Sequence, residues 1–182
     1  MATTGTMTIE ELEQLPEDEG RFELLDGDLI EMAPTGFDHG KLSTRMLTLI
    51  NVFVLERELG TVVGTDAGFI LRRDPNRVLA PDIAFVSAEQ FAIDAEQPGF
   101  LELAPDFVVE IVSPSDRWNY VNDKVNAYLD AGVRLIWVVD PRRKEVIVHT
   151  PDRVARTVAG DTTLDGGDVL PGFEITLGKL FG

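Results

Sequence analysis

The stretch PDFVVEIVSPSDRWNYVNDKVNAYLDAGVRLIWVVDP, residues 105–141, decides the fold. Its first part, Phe107 to Ser113, is a near-continuous apolar run of the kind buried on both faces of a sheet, and RLIWVVD at 134–140 is a second. Between them Val121, Val125, Tyr128 and Leu129 fall on one side of a helix that Gly132 stops, with Ser115 as its natural N-cap. A strand, a helix and a further strand are therefore expected in sequence. One residue breaks the pattern: Glu110 lies inside the first apolar run, where burying an ion is costly unless a cation or hydrogen-bond donors compensate.

Upstream, LAPDIAFVS at 79–87 repeats the anomaly with Asp82. Two such acids on neighbouring strands repel each other unless something positive lies between them, and the simplest such object is a hard divalent metal. The plainer reading of Asp82 is a turn residue after Pro81. The segments GTVVGTDAGFILRRD (60–74) and RVLAPDIAFVS (77–87) read as two or three strands of a central sheet. Thr8 and Glu11 in TIEELEQL form a capping-box signal for a short helix, and Asp26-Gly27 in RFELLDGDLIEMA marks a two-residue hairpin turn. From about Asp38 to Glu58, Leu42, Met46, Leu49, Ile50 and Phe53 recur at helical spacing, which predicts a long core-facing helix. The remainder, KEVIVHT (144–150), RVARTVAG (153–160) and DVLPGFEITLGKLFG (168–182), alternates as antiparallel strands and finishes in a short helical tail. These pieces permit an α/β architecture, a mixed β-sheet flanked by helices in about three layers, as a single domain over residues 1–182.

Bulk composition agrees with one domain, since 182 residues at 44% hydrophobic can bury a core without staples. Cysteine is absent, which removes disulfides, a thiolate metal cage and a cysteine nucleophile. Met1 to Gly20 has neither the basic flank nor the apolar core of a signal peptide, and no apolar stretch is long enough to span a bilayer, so no membrane is expected and the cytoplasm is the expected compartment. With 32 acidic against 16 basic side chains the formal charge is −16, which opposes tight non-specific binding to nucleic acid. A bound metal would cancel that charge locally, and acids spread over a solvated surface chiefly confer solubility.

Ligands gather at the carboxyl ends of central strands in sheets with crossover helices, where Glu110 and the SPS turn would lie. Lys124, on the following helix, has the stem length to reach back to that end. Taken alone Lys124 reads as a solvated helix lysine.

At this point the chain resembles the Uma-two family of restriction-endonuclease-like proteins, a branch of the PD-(D/E)xK nuclease superfamily. The segments that carry the resemblance are RFELLDGDLIEMAP with the following His39, LAPDIAFVS, APDFVVEIVSPSDR, Asp123-Lys124, AYLDAGV and WVVDP, spread from Arg21 to Pro141. The resemblance implies a restriction-endonuclease-like fold and metal-dependent hydrolysis of phosphodiester bonds in DNA, with Mg²⁺ or Mn²⁺ as cofactor. It implies Asp82 and Glu110 as metal ligands, with the backbone carbonyl of Ile111 as a third. The lysine of the parent motif is expected two residues beyond Glu110, where this chain has Val112, and Lys124 on the helix takes its place. Glu23 in FELLDG is a matching extra acid, either a second ligand set, an orienting residue, or simply a cross-strand partner for a basic residue on the hairpin. His39 can bind substrate or serve only as a residue at a helix start. Trp118 and Tyr120 can stack on bases or pack, Ser113 and Ser115 flank a turn at Pro114, and Asp140 before Pro141 ends a strand.

Two rivals stand beside the nuclease. An inactive interaction module that keeps the fold is favoured by the acidity and by Val112. A two-carboxylate glycosidase predicts no metal dependence and lacks any aromatic sugar platform here. Apolar helix surface around Val52 to Leu55, opposite the core stripe, would suit a homodimer, which also fits a cut in both strands of a duplex.

Overall fold

The computed structural model describes residues 7–16, 20–92, 96–114 and 116–182. In chain order the elements are α1 (Ile9–Glu13), β1 (Arg21–Leu25), β2 (Asp28–Met32), α2 (Phe37–Glu56), β3 (Gly60–Gly64), β4 (Phe69–Arg73), β5 (Asn76–Leu79) and β6 (Ile83–Ser87). They continue as β7 (Phe107–Ile111), α3 (Trp118–Ala131), β8 (Leu135–Asp140), β9 (Glu145–His149), β10 (Ala155–Ala159), β11 (Thr163–Asp165), β12 (Glu174–Thr176) and α4 (Leu177–Phe181).

The principal sheet has six strands in the order β10-β9-β8-β7-β6-β3. Only β7 and β8 run parallel, with Phe107 opposite Leu135 and Glu110 opposite Val138, and α3 is the crossover between them. The remaining neighbours are antiparallel, so the sheet is mixed. Side chains of a strand point alternately to opposite faces. Phe107, Val109 and Ile111 of β7, with Leu135, Trp137 and Val139 of β8, face Leu42, Met46, Ile50 and Val54 of α2. Val108, Ile136 and Val138 face the other way, onto Val121, Val125, Ala127 and Tyr128 of α3. Phe107, Val108 and Val109 are wholly buried, and each contributes roughly 1.5–3 kcal/mol by leaving water. The apolar run is therefore a strand with a helix on each side, as its composition requires.

Two expectations change. The region 60–87 holds four strands rather than two or three, because β4 and β5 form a hairpin that leaves the principal sheet. That hairpin joins β1 and β2 in a second, four-stranded sheet of order β2-β1-β5-β4, and β11 with β12 makes a separate ribbon. On α2, Val52 and Leu55 are exposed at 49% and 61%, but Val54 between them is fully buried, so the exposed apolar face is narrower than the interval implies.

Other local signals hold. Thr8 and Glu11 form the reciprocal capping box at α1, Asp26 and Gly27 adopt positive φ of 57° and 88° in the turn between β1 and β2, and Gly132 closes α3 at φ 101°. Asp140 ends β8 by accepting the amides of Arg142 and Arg143 at 2.9 and 3.1 Å. The residue capping α3 is Arg117, without a side-chain hydrogen bond, while Ser115 lies outside the described residues. Among the described residues no helix is long and apolar enough to cross a membrane.

Candidate active site

Strands β6 and β7 are antiparallel neighbours with Ile83 opposite Val109, and extending that register by one residue brings Asp82 opposite Glu110. Both lie on the face of the sheet turned away from α2, since Ile83 and Phe85 on β6 and Val109 and Ile111 on β7 occupy the α2 face. Asp82 Oδ2 accepts the Ile111 amide at 2.7 Å, which continues the ladder past the start of β6 with a side chain in place of a carbonyl. His39, in the first turn of α2, is buried and places Nε2 3.0 Å from the Ile111 carbonyl oxygen and 3.2 Å from Asp82 Oδ2. Both neighbours are acceptors, so Nε2 carries a hydrogen. Nδ1 has no partner. The hydrogen bond to Asp82 raises the His39 pKa above its ordinary value, against the opposing effect of burial.

Glu110 Oε1 accepts from Lys124 Nζ at 2.7 Å and from the Tyr128 hydroxyl at 2.6 Å. Lys124 Nζ also reaches Glu23 Oε1 at 3.1 Å, and that oxygen accepts the Ala80 amide at 2.8 Å. The Tyr120 hydroxyl donates to the other oxygen of Glu23. Tyr120, Lys124 and Tyr128 stand four residues apart, so one stripe of α3 carries all three donors. Lys124 has almost no contact with solvent: burial alone would lower its pKa, but the Glu110 and Glu23 carboxylates outweigh that and hold it above the usual lysine value. Burial, opposed by Lys124 and reinforced by Asp82 and Glu23, raises Glu110 to about 7. Tyr120 and Tyr128 are raised by burial first, then chiefly by Glu23 and Glu110 respectively, so both stay hydroxyl donors.

These groups border a cleft of about 330 Å³ between the β1–β2 hairpin and the start of α3, with Asp82, Glu110, Ile111, Lys124, His39 and Arg21 in its wall. Glu23 is wholly buried and is not part of that wall. Its position fits an anchor for Lys124 and Tyr120, not a metal ligand, and its cation comes from α3 and not from the hairpin. Three carboxylates thus meet one lysine and one histidine, leaving an excess of negative charge that a divalent cation would offset. Among the described residues no three His, Cys, Asp or Glu side chains are grouped to hold a metal. The set fits a different scheme: two carboxylates and one carbonyl are hard oxygen donors, and Mg²⁺ keeps several coordination positions for water and phosphate. Val112, at the position expected to carry lysine, lines the cleft as an apolar wall.

Of the residues picked out from sequence, Asp82, Glu110, Ile111, Lys124, Glu23 and His39 converge. Trp118 does not join them and is 40% exposed at the start of α3. Tyr120 donates its hydroxyl hydrogen bond to Glu23 and lines the cleft. Tyr128, expected as core packing, was the partner missed, although its spacing of four from Lys124 was a usable signal.

A mixed sheet that presents two carboxylates at the ends of adjacent strands, one of them paired with a lysine from the crossover helix, is the arrangement of a restriction-endonuclease-like protein. The family described as "Uma2: Putative restriction endonuclease" matches residues 9–178, and the chain belongs to it. A crystal structure of "a putative nuclease belonging to DUF820" from Anabaena variabilis ATCC 29413 superposes with a TM-score of 0.84 at 21% identity, covering 96% of this chain and 97% of that one. That likeness establishes the fold. No curated protein sequence matches the chain.

Proposed function

We propose that the protein is a metal-dependent endonuclease that hydrolyses phosphodiester bonds in DNA, with Mg²⁺ or Mn²⁺ as cofactor. The observation that carries the reading is the placement of Asp82 opposite Glu110 on one face of the sheet with Lys124 2.7 Å from Glu110. Asp82, Glu110 and the Ile111 carbonyl would hold the cation. When bound, it supplies a polarised phosphate, a more acidic water and charge stabilisation at the leaving alkoxide. Lys124, already cationic and fixed by Glu23, offsets negative charge that develops on the phosphate without having to reorganise. Tyr128 orients the Glu110 carboxylate, and Tyr120 and the Ala80 amide orient Glu23. His39 lies within reach of two of the three proposed ligands and is assigned to substrate or to shaping that ligand set.

Incubation of plasmid and single-stranded DNA with the protein under Mg²⁺, Mn²⁺ or EDTA tests this. Cleavage should require metal and disappear in Asp82→Ala and Lys124→Ala; cleavage that survives both substitutions belongs to a contaminant and removes the proposal. Val112 favours a second reading, an inactive module that keeps the fold, which predicts no metal-dependent cleavage by the native chain. Pairing of two chains through the Val52 and Leu55 surface, in the cytoplasm, is part of the same proposal, and light scattering that gives only monomer mass would remove the pairing.

A further inference from the structure

The cations of this acidic chain are used unevenly. Most of its arginines and lysines lie within ion-pair distance of a carboxylate, from Arg21 with Asp66 to Arg156 with Asp165. Among the described residues the exceptions are Lys41, Arg45, Arg117, Arg142, Lys144 and Lys179. Lys41, Arg45, Arg142 and Lys144 all line one cleft of about 350 Å³, whose wall contains a single acid, Asp38. In a chain of net charge −16, unpaired cations scattered at random would not collect around one cavity.

That cavity adjoins the candidate active site. His39 and Val112 belong to the walls of both clefts, and Arg117 lines the active-site side. The positive wall is built on fixed parts of the fold. Lys41 and Arg45 are one turn apart on α2, and Arg45 Nη1 donates to the Leu180 carbonyl at 2.9 Å, which holds α4 as the opposite wall. Arg142 and Lys144 come from the turn between β8 and β9, whose amides are tied to Asp140. Cations held near one another repel, and an anion between them removes that cost.

We propose that this cleft binds the phosphodiester backbone of the DNA strand next to the phosphate held at Asp82, Glu110 and Lys124. The inference rests on the nuclease reading and adds to it the path that the substrate takes. Arginine forks and lysine ammonium groups suit phosphate oxygens and read no sequence, so the contribution is positioning and affinity. It also explains how a strongly acidic protein engages a polyanion: the repulsive charge is spread over the surface, and the unpaired positive charge is concentrated beside the reacting groups.

The test is fluorescence anisotropy of a labelled DNA duplex with the full chain in EDTA, where binding is read without turnover. The variants are Lys41→Ala and the double substitution Arg142→Ala/Lys144→Asn; asparagine accepts the positive φ of 53° at position 144. The double variant should bind about tenfold or more weakly, with a salt dependence shallower by about two in slope, and Lys41→Ala should shift both in the same direction by about half as much. Arg57→Ala/Arg156→Ala removes the same charge from a distant surface and should bind within about twofold of the native chain. Thermal melts of each variant identify any loss that comes from unfolding, and Lys41→Ala gives an independent reading should the double variant fail to fold. Binding unchanged in both cleft variants, an equal loss in the distant control, or no duplex binding by the native chain would overturn the proposal. Metal-dependent cleavage with unchanged binding in the cleft variants removes the cleft and leaves the nuclease. Selective loss of binding without any cleavage by the native chain leaves the cleft and removes the nuclease.

Discussion

Lys124 is buried between Glu23 and Glu110, so each of these three ions depends on the others for compensation. Removing one partner of a buried ion pair leaves an uncompensated charge and costs about 3–5 kcal/mol. Lys124→Met should therefore lower stability by about that amount in urea denaturation and abolish DNA cleavage. Glu23→Gln/Lys124→Met removes two opposite charges together and should regain much of the stability while staying inactive, which separates the fold role from the chemical one. A Lys124→Met variant as stable as the native chain would mean that the three groups do not compensate one another. Glu110 makes a second, pH-dependent prediction. Its folded pKa of about 7 lies above the ordinary 4.5, so in the fold it keeps a proton that the unfolded chain has already lost. Metal-free stability should therefore fall as pH rises across that window, and level off above it. His39 works in the same direction: its raised pKa lends stability below about 6.5 that is lost as pH climbs through the folded value. A ligand carboxylate must be ionised, so Mg²⁺ affinity measured by calorimetry should rise between about pH 6 and 8 and release a proton, and Glu110→Gln should lose both the affinity and much of the pH-dependent fall in stability. Affinity that is flat over that range would exclude Glu110 as a ligand.

The element that positions this chemistry is α3, and its end is set by backbone geometry alone. Gly132 has φ 101° with no atom within 4 Å of where a Cβ would stand, so Gly132→Ala should cost about 1–2 kcal/mol through strain and nothing through clash. Gly60, at the start of β3, would place its Cβ 2.1 Å from the Val86 carbonyl oxygen. Gly60→Ala should therefore be the more damaging of the two in a thermal melt, because backbone on β6 must move. Equal losses at both positions would mean that β3 does not pair with β6 at the observed distance. The same elements show what the amino-acid pattern can convey. The β7–α3–β8 unit was legible because apolar runs, helical spacing and Gly132 agree, and Asp82 and Glu110 were legible because an acid in an apolar run violates the ordinary rule of burial. The separate sheet of β1, β2, β4 and β5 was not, since apolar residues bounded by turn residues in FILRR and NRVL state that strands form and not which sheet receives them. Tyr128 was hidden for a related reason: on an apolar helix face a tyrosine satisfies the pattern as core, and its hydroxyl acquires a role only once Glu110 is known to lie opposite it.

For the whole molecule the net charge of −16 argues against a nucleic-acid partner when it is treated as a sum, and that argument fails once the charges have positions. Tertiary pairing decides which cations remain available, and no composition can reveal that Arg72 and Arg77 both meet Asp26 while, among the described residues, Arg142 and Lys144 meet no carboxylate. Two responses to salt follow, with opposite signs. Excess like charge destabilises the compact state by self-repulsion, which is long-ranged at low ionic strength and is screened as the Debye length shrinks from about 30 Å at 0.01 M to about 10 Å at 0.1 M. Added NaCl over that range should therefore raise the melting temperature. Binding to DNA depends on release of counterions from phosphates that the cleft cations neutralise, so the same addition should weaken it, with a slope of roughly −0.9 for each phosphate engaged and about −2 to −4 overall for the four cleft cations. Thermal melts and anisotropy titrations in one salt series measure the two together. If affinity instead strengthened with salt alongside the melting temperature, repulsion from the acidic surface would dominate the encounter, and the positive cleft would not be a place where a phosphate backbone rests.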